Sequence, residues 1–180
     1  MERDGQDTRR AAGAAGLAAV SCPFFAGMDA LFLWSALVYG ALLLGAARED
    51  WRTGYISDGW SAALALLGGV RWTLCGAWED LLGAAGVCLL FGALVRLPLR
   101  AAGEGDLFLA GAAALWLSWR GCALFLWGAF AAGGLFGAAL VLAGRKRFAD
   151  SLPFAPFLAG SAFVSYLWGG PLWEAWLALP

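Results

Sequence analysis

The chain has 180 residues, of which 62% are hydrophobic and only 14% are charged, and its net charge is −1. So few charged side chains cannot cover the surface of a water-soluble protein of this size, and the composition therefore predicts a membrane protein. Binding of nucleic acid is excluded because the sequence has no basic patch alternating with polar runs.

Residues 1–29 differ from the rest of the chain and are expected to form an N-terminal extension. Positions 1–10 are rich in charge, and positions 11–28 are rich in alanine and glycine with modest hydrophobicity. This pattern leaves three alternatives open: a signal-like segment, a helix lying in the membrane interface, or a weak further span. Residues 30–175 are then expected to form one membrane domain.

Six long apolar stretches predict an all-α fold, a polytopic bundle of about six transmembrane helices. A helix needs about 20 apolar residues to cross a bilayer. The third and fourth stretches are short for a complete crossing, and Arg71 within the second is expected to extend to the outer interface. Glycines in the fifth stretch are expected to allow close helix packing, namely Gly128, Gly133, Gly134 and Gly137. The predicted helices cover residues 30–47, 59–78, 81–95, 107–119, 121–144 and 151–173.

The distribution of basic residues predicts how the bundle is oriented. Seven lysines and arginines follow the first, third and fifth stretches, at positions 48, 52, 96, 100, 145, 146 and 147. The opposite ends carry only Arg71 and Arg120. Because cytoplasmic loops of membrane proteins are enriched in lysine and arginine, these three loops are expected to face the cytoplasm.

Two carboxylates fall on this predicted cytoplasmic face, Asp50 after the first stretch and Asp106 before the fourth. The chain has no histidine, which excludes Ser-His-Asp and Cys-His catalysis. Its four cysteines occur singly, so we expect no metal site and no cofactor. Taken singly, each aspartate could also be a solvated loop charge or a helix cap.

A pair of carboxyl groups can perform acid/base chemistry when the two share one proton. The ionised carboxylate draws a proton from water, while the protonated carboxyl polarises and protonates the substrate amide. Asp106 follows Gly103 and Gly105 in a G-x-G-D arrangement. Without a Cβ at these positions the backbone could turn sharply, and a substrate strand could approach the acid closely.

Two segments resemble the motifs of a known family. Residues 50–58, DWRTGYISD, resemble the first aspartate motif of type IV prepilin peptidases, and residues 103–106, GEGD, resemble the second. Residues 109–117 and the proline-containing stretch 153–160 resemble that family's later helices. The resemblance covers residues 30–169. The chain resembles a short form of this family, because it lacks the cysteine-rich region that is associated with N-methylation.

The resemblance implies a membrane aspartyl endopeptidase in the plasma membrane with its active site facing the cytoplasm. Its partner would be the basic leader of a type IV prepilin or pseudopilin, in addition to the lipid bilayer, and the oligomeric state stays open. Asp50 and Asp106 would be catalytic. Substrate binding or support of the loops would fall to Gly103, Glu104, Gly105 and Glu49.

The chain departs from the family's pattern at three positions. Ser57 stands where proline is usual, Asp58 where asparagine is usual, and Phe108 where a lysine is common. N-methyltransferase activity is not expected because C-x-x-C pairs are absent. The alternative functions are a small membrane transporter, for which internal repeats would be expected, and a non-catalytic membrane assembly subunit, which would tolerate loss of either aspartate.

Overall fold

The computed structural model describes residues 29–96, 103–145 and 152–178. Within these ranges the chain forms six α-helices and no β-strand. The prediction of six helices is therefore confirmed, whereas the interpretation of residues 1–28 lies outside the described residues. The helices are α1 Asp29–Thr53, α2 Asp58–Cys75, α3 Trp78–Arg96, α4 Glu104–Ala114, α5 Trp119–Leu142 and α6 Ala155–Leu177.

Two of the described helices, α3 and α5, are long and apolar enough to cross a membrane. Helix α3 has 19 residues, which at 1.5 Å per residue gives about 28 Å. The predicted apolar stretch 81–95 is short, and the helix reaches this length because it includes flanking residues on both sides. Its first turn contains Glu79 and Asp80, and the sequence-based boundary excluded them because they are charged.

Helix α4 lies at the centre of the described bundle and packs against α2, α3 and α6. The neighbouring contacts join α5 to α6, α1 to α6, α3 to α5, and α1 to α2. One face of α4 consists of small side chains, which allow the surrounding helices to approach closely. Its buried residues are Leu109, Ala110, Ala112, Ala113 and Ala114.

Helix α4 ends earlier than the sequence predicts. It has 11 residues, or about 16 Å, and its last residue is Ala114 rather than Trp119. Two side chains from other helices satisfy carbonyl groups at this end: Tyr39 donates to Ala113 O at 3.0 Å, and Arg71 Nη1 donates to Trp116 O at 3.0 Å. A cation at the C-terminal end of a helix is also electrostatically favourable.

Arg71 contacts neighbouring parts of the described bundle, and the expectation that it extends to the outer interface stays a prediction. Besides its bond to Trp116 O, its guanidinium lies 5.4 Å from the centre of the Tyr166 ring. The side chain is therefore held among three helices by a hydrogen bond and a cation–π contact.

Only part of the predicted glycine contact of α5 is present. A Cβ at Gly128 would lie 2.5 Å from Ser161 Oγ, and one at Gly133 would lie 2.7 Å from the Phe154 ring, so both positions require glycine for close packing against α6. Gly137 would make only a 4.0 Å contact, and Gly134 would meet nothing within 4 Å. Within the described residues, the predicted close contact is therefore absent at Gly134.

Candidate active site

Asp50 is a buried carboxylate in the last turn of α1, with 6% of its surface exposed. Its Oδ2 accepts the N–H of Ala155, the first residue of α6, at 3.1 Å. Phe154 at the N-cap of α6 offers no side-chain bond, and Pro156 has no N–H. Asp50 thus acts as the cap of α6, although it belongs to α1. Burial raises the pKa of Asp50 above its ordinary value, and the bond from Ala155 partly opposes this shift.

Asp106 is the third residue of α4 and lies partly buried. Its Oδ2 accepts the N–H of Gly103 at 3.2 Å, which satisfies a backbone donor at the start of the helix. Burial raises the pKa of Asp106 to about 6, opposed by the Gly103 hydrogen bond and assisted by the negative charge of Asp50. At neutral pH a small part of the Asp106 population therefore keeps its proton.

Asp50 lies near enough to Asp106 for its negative charge to add to the raised pKa of Asp106, although burial is the larger cause. The connecting loop makes a direct contact as well: Ile56 is buried, and its Cβ lies 3.4 Å from the position that a Cβ on Gly105 would occupy. Two carboxyl groups that repel each other's ionisation can share one proton and act as a general acid and a general base. In the described residues no three His, Cys, Asp or Glu side chains come together as a metal site.

A tight turn after α1 shapes the loop beside Asp50. Gly54 has a φ of 67°, in the left-handed region that favours glycine, and its N–H donates to Asp50 O at 2.8 Å. Thr53 Oγ1 donates to Glu49 O at 2.8 Å and accepts the N–H of Tyr55 at 3.2 Å. Sequence reasoning missed Gly54, although a glycine directly after the end of a helix is a signal for this turn.

Gly103 and Gly105 do not make the sharp turn that the sequence analysis expected. Gly103 has an extended conformation with a φ of −81°, and of the described glycines only Gly54 and Gly144 have positive φ. A Cβ would lie 3.5 Å from Asp106 Oδ2 at Gly103 and 3.4 Å from Ile56 at Gly105. Since alanine would fit at both positions, the fold itself does not require these two glycines. Close approach of a substrate remains a prediction.

The two glutamates beside the aspartates differ in their surroundings. Glu104 is exposed in the first turn of α4. Glu49 is half-buried, and its Oε2 accepts the indole N–H of Trp60 at 2.8 Å and the backbone N–H of Ser57 at 3.2 Å. Glu104 can therefore meet a basic ligand, whereas Glu49 is engaged in the support of the loop. Sequence reasoning did not identify Trp60, because no local pattern indicates which carboxylate an indole near the start of a helix contacts.

Comparison with known proteins assigns the chain to a family. The sequence profile of the type IV leader peptidase family matches residues 36–138, which include both aspartates. The chain is 32% identical over 143 residues to a prepilin leader peptidase/N-methyltransferase of Burkholderia pseudomallei, covering 74% of this chain and 46% of that protein. It is 28% identical over 148 residues to the protein of the same name in Aeromonas salmonicida, covering 81% and 42%.

A shorter relative aligns over most of its own length. Leader peptidase HopD of Salmonella typhimurium is 31% identical over 135 residues, which cover 69% of this chain and 85% of HopD. The chain spans less than half of the length of the Burkholderia and Aeromonas relatives. No solved structure matches it. On the profile match and on these relatives, the chain belongs to the type IV leader peptidase family.

Proposed function

We propose that this protein is a membrane aspartyl endopeptidase that removes the basic leader of type IV prepilins or pseudopilins. The observation that carries the proposal is the contact between the two aspartate motifs within the family-matched region: Ile56 of the first motif packs against Gly105 of the second, and the charge of Asp50 adds to the raised pKa of Asp106. Coupled carboxyl groups of this kind perform acid/base catalysis without metal or cofactor. The names of the matched relatives support leader cleavage as the reaction.

In the proposed mechanism the two aspartates hold one proton between them. The ionised carboxylate removes a proton from a water molecule, whose oxygen attacks the carbonyl carbon of the scissile peptide bond. The protonated carboxyl donates its proton toward the substrate, and the carbon–nitrogen bond then breaks with transfer of a proton to the leaving amine. Because the groups interact, the acid and base roles belong to the pair rather than to Asp50 or Asp106 separately.

The proposed setting is a six-span bundle in the plasma membrane with the aspartates at its cytoplasmic end. Of the described basic residues, Arg48, Arg52, Arg96 and Arg145 lie at or near the helix ends that this orientation places in the cytoplasm. Asp50 follows the apolar part of α1, and Asp106 precedes that of α4. Both carboxylates would thus meet a leader at the membrane surface. We do not propose N-methylation, because residues 30–175 contain no C-x-x-C pair.

Leader cleavage can be measured by co-expression with a prepilin that has a basic leader, a glycine and then an apolar helix. Asp50→Asn and Asp106→Asn should each abolish the size shift of the pilin on a gel, because asparagine keeps the shape but cannot exchange the proton. Both variants should remain membrane-inserted. Asp58→Asn removes an exposed acid from the start of α2 and should retain cleavage.

Retained cleavage in either asparagine variant of the pair would contradict the two-aspartate mechanism. A transporter or a non-catalytic assembly subunit would leave the prepilin uncleaved with the wild-type protein as well. The wild-type control therefore separates failure of the function from failure of the mechanism.

A further inference from the structure

Trp60 and Glu49 join the start of α2 to the end of α1. The indole Nε1 of Trp60 donates to Glu49 Oε2 at 2.8 Å. The ring lies against Gly45, one turn before Glu49, where a Cβ would come within 2.5 Å of the ring. The absence of a side chain at Gly45 thus allows the indole to reach the carboxylate. Hydrogen bonds to an ionised acceptor are about twice as strong as those between neutral groups.

The same carboxylate oxygen also holds the loop between the two helices. The backbone N–H of Ser57 donates to Glu49 Oε2 at 3.2 Å. A proline at position 57, which the family resemblance leads one to expect, would have no N–H to donate. Ser57 additionally caps α2, where its Oγ accepts the N–H of Gly59 at 3.4 Å. Serine at this position therefore makes possible a contact that proline would exclude.

The loop held in this way carries the contact between the two aspartate motifs. Ile56, next to Ser57, is 5% exposed and packs against Gly105 at the start of α4. Gly105 immediately precedes Asp106, and Glu49 immediately precedes Asp50. A displacement of Ile56 would therefore change the position of one aspartate relative to the other.

We propose that Trp60, Glu49 and the Ser57 N–H form a positioning clamp. The clamp holds Ile56 against Gly105 and thereby fixes the position of Asp50 relative to Asp106. The clamp acts through the loop and touches neither the substrate nor the reacting atoms. This inference rests on the proposed function in one respect, because the catalytic effect of the clamp is measured as the rate of prepilin cleavage. Its hydrogen bonds can be observed without any activity.

The catalytic test removes the two partners of the bond separately. Trp60→Phe removes the indole donor together with the outer ring that lies against Gly45, whereas Glu49→Ala removes only the acceptor. Each should lower kcat about 10- to 100-fold with KM changed less than about twofold, because small displacements of reacting groups are costly while leader contacts are retained. Glu49→Gln keeps an oxygen acceptor and should restore most of the rate.

A matched pair at Ser57 tests the backbone donor. Ser57→Ala removes the hydroxyl cap but keeps the N–H, and Ser57→Pro removes both. Ser57→Pro should lower kcat about tenfold below Ser57→Ala. Equal rates for the two would contradict a role of the N–H. Wild-type kcat in Trp60→Phe would overturn the inference and leave the proposed function standing.

The third measurement detects the clamp directly in the purified protein. The indole N–H resonance that disappears in Trp60→Phe identifies Trp60 in the nuclear magnetic resonance spectrum. In Glu49→Ala this resonance should move upfield by loss of the charged acceptor, and in Asp58→Asn it should keep its position. An unmoved resonance in Glu49→Ala would overturn the clamp whatever the activity. Failure of the wild type to cleave any prepilin would overturn the proposed function, and the catalytic claim of the clamp with it.

Discussion

Replacement of Asp106 by asparagine should stabilise the protein while it abolishes cleavage. The pKa of Asp106 is raised from an ordinary value of 3.8 to about 6. A raised folded-state pKa means that the fold prefers the protonated carboxyl, so the stability contributed by this group is complete below about pH 4 and is lost as the pH rises through about 6. Asparagine resembles the protonated state at every pH and can still accept the Gly103 N–H.

The magnitude follows from the size of the shift. A difference of about 2.2 pKa units, at 1.36 kcal/mol each, corresponds to about 3 kcal/mol as an upper bound, because the partial exposure of Asp106 allows some solvent screening. The free energy of unfolding of Asp106→Asn should therefore exceed that of the wild type by as much as about 3 kcal/mol at pH 8. The difference should shrink below pH 6 and vanish near pH 4.

Equilibrium unfolding in detergent micelles at several pH values between 4 and 8 measures this difference. Asp58→Asn is the matched control, because it removes an exposed acid from the first turn of α2. A negative charge there favours the helix, so this substitution should lower the stability by about 0.3–1 kcal/mol. If Asp106→Asn were no more stable than the wild type at pH 8, the claim that the ionised carboxylate of Asp106 destabilises the fold would be refuted.

Further predictions concern the neighbours of this site. Asp50→Ala should be less stable than Asp50→Asn by about 1–3 kcal/mol in the same unfolding assay, because alanine leaves the first N–H of α6 buried without a partner; equal stabilities would contradict the capping role. Gly105→Ala should lower the rate of cleavage without loss of stability if a substrate strand approaches there. Gly54→Ala should lower the free energy of unfolding by about 1 kcal/mol, because the backbone at this position is left-handed. Charge reversal at the exposed Glu104 should raise KM for a basic leader with little change in kcat, and Phe108→Lys, at a position 57% exposed, should retain activity. Cysteine labelling should place the basic loops after α1, α3 and α5 in the cytoplasm, and labelling from outside would contradict the orientation.

The number of helices and the pairing of the two motifs could be predicted from the sequence because both depend on local patterns. Apolar runs identified six helices, and charge at their ends predicts that Asp50 and Asp106 lie on one face of the membrane. The end of α4 could not be predicted in this way, since residues 107–117 are apolar without a break. At that end Tyr39 binds the carbonyl group of Ala113 and Arg71 binds that of Trp116, and these contacts exist only in the packed bundle.

Sequence patterns also could not predict the hydrogen bonds between residues of different helices. The bond from Trp60 to Glu49 joins two helices over a separation of 11 positions, and nothing in the composition of either helix indicates it. The bond from Ala155 to Asp50 spans 105 positions. No local pattern indicates which carboxylate would cap the start of α6.

The capping of α6 by Asp50 has a consequence for the order of biosynthesis. Asp50 leaves the ribosome 105 residues before Ala155, and Asp106 is made before Ala155 as well. Until α6 has been made, the carboxylate of Asp50 lacks the N–H of Ala155 that it accepts in the folded bundle. A nascent chain that already contains both aspartates therefore still lacks the contact between Asp50 and Ala155, and the proposed active site is complete only after α6 has folded.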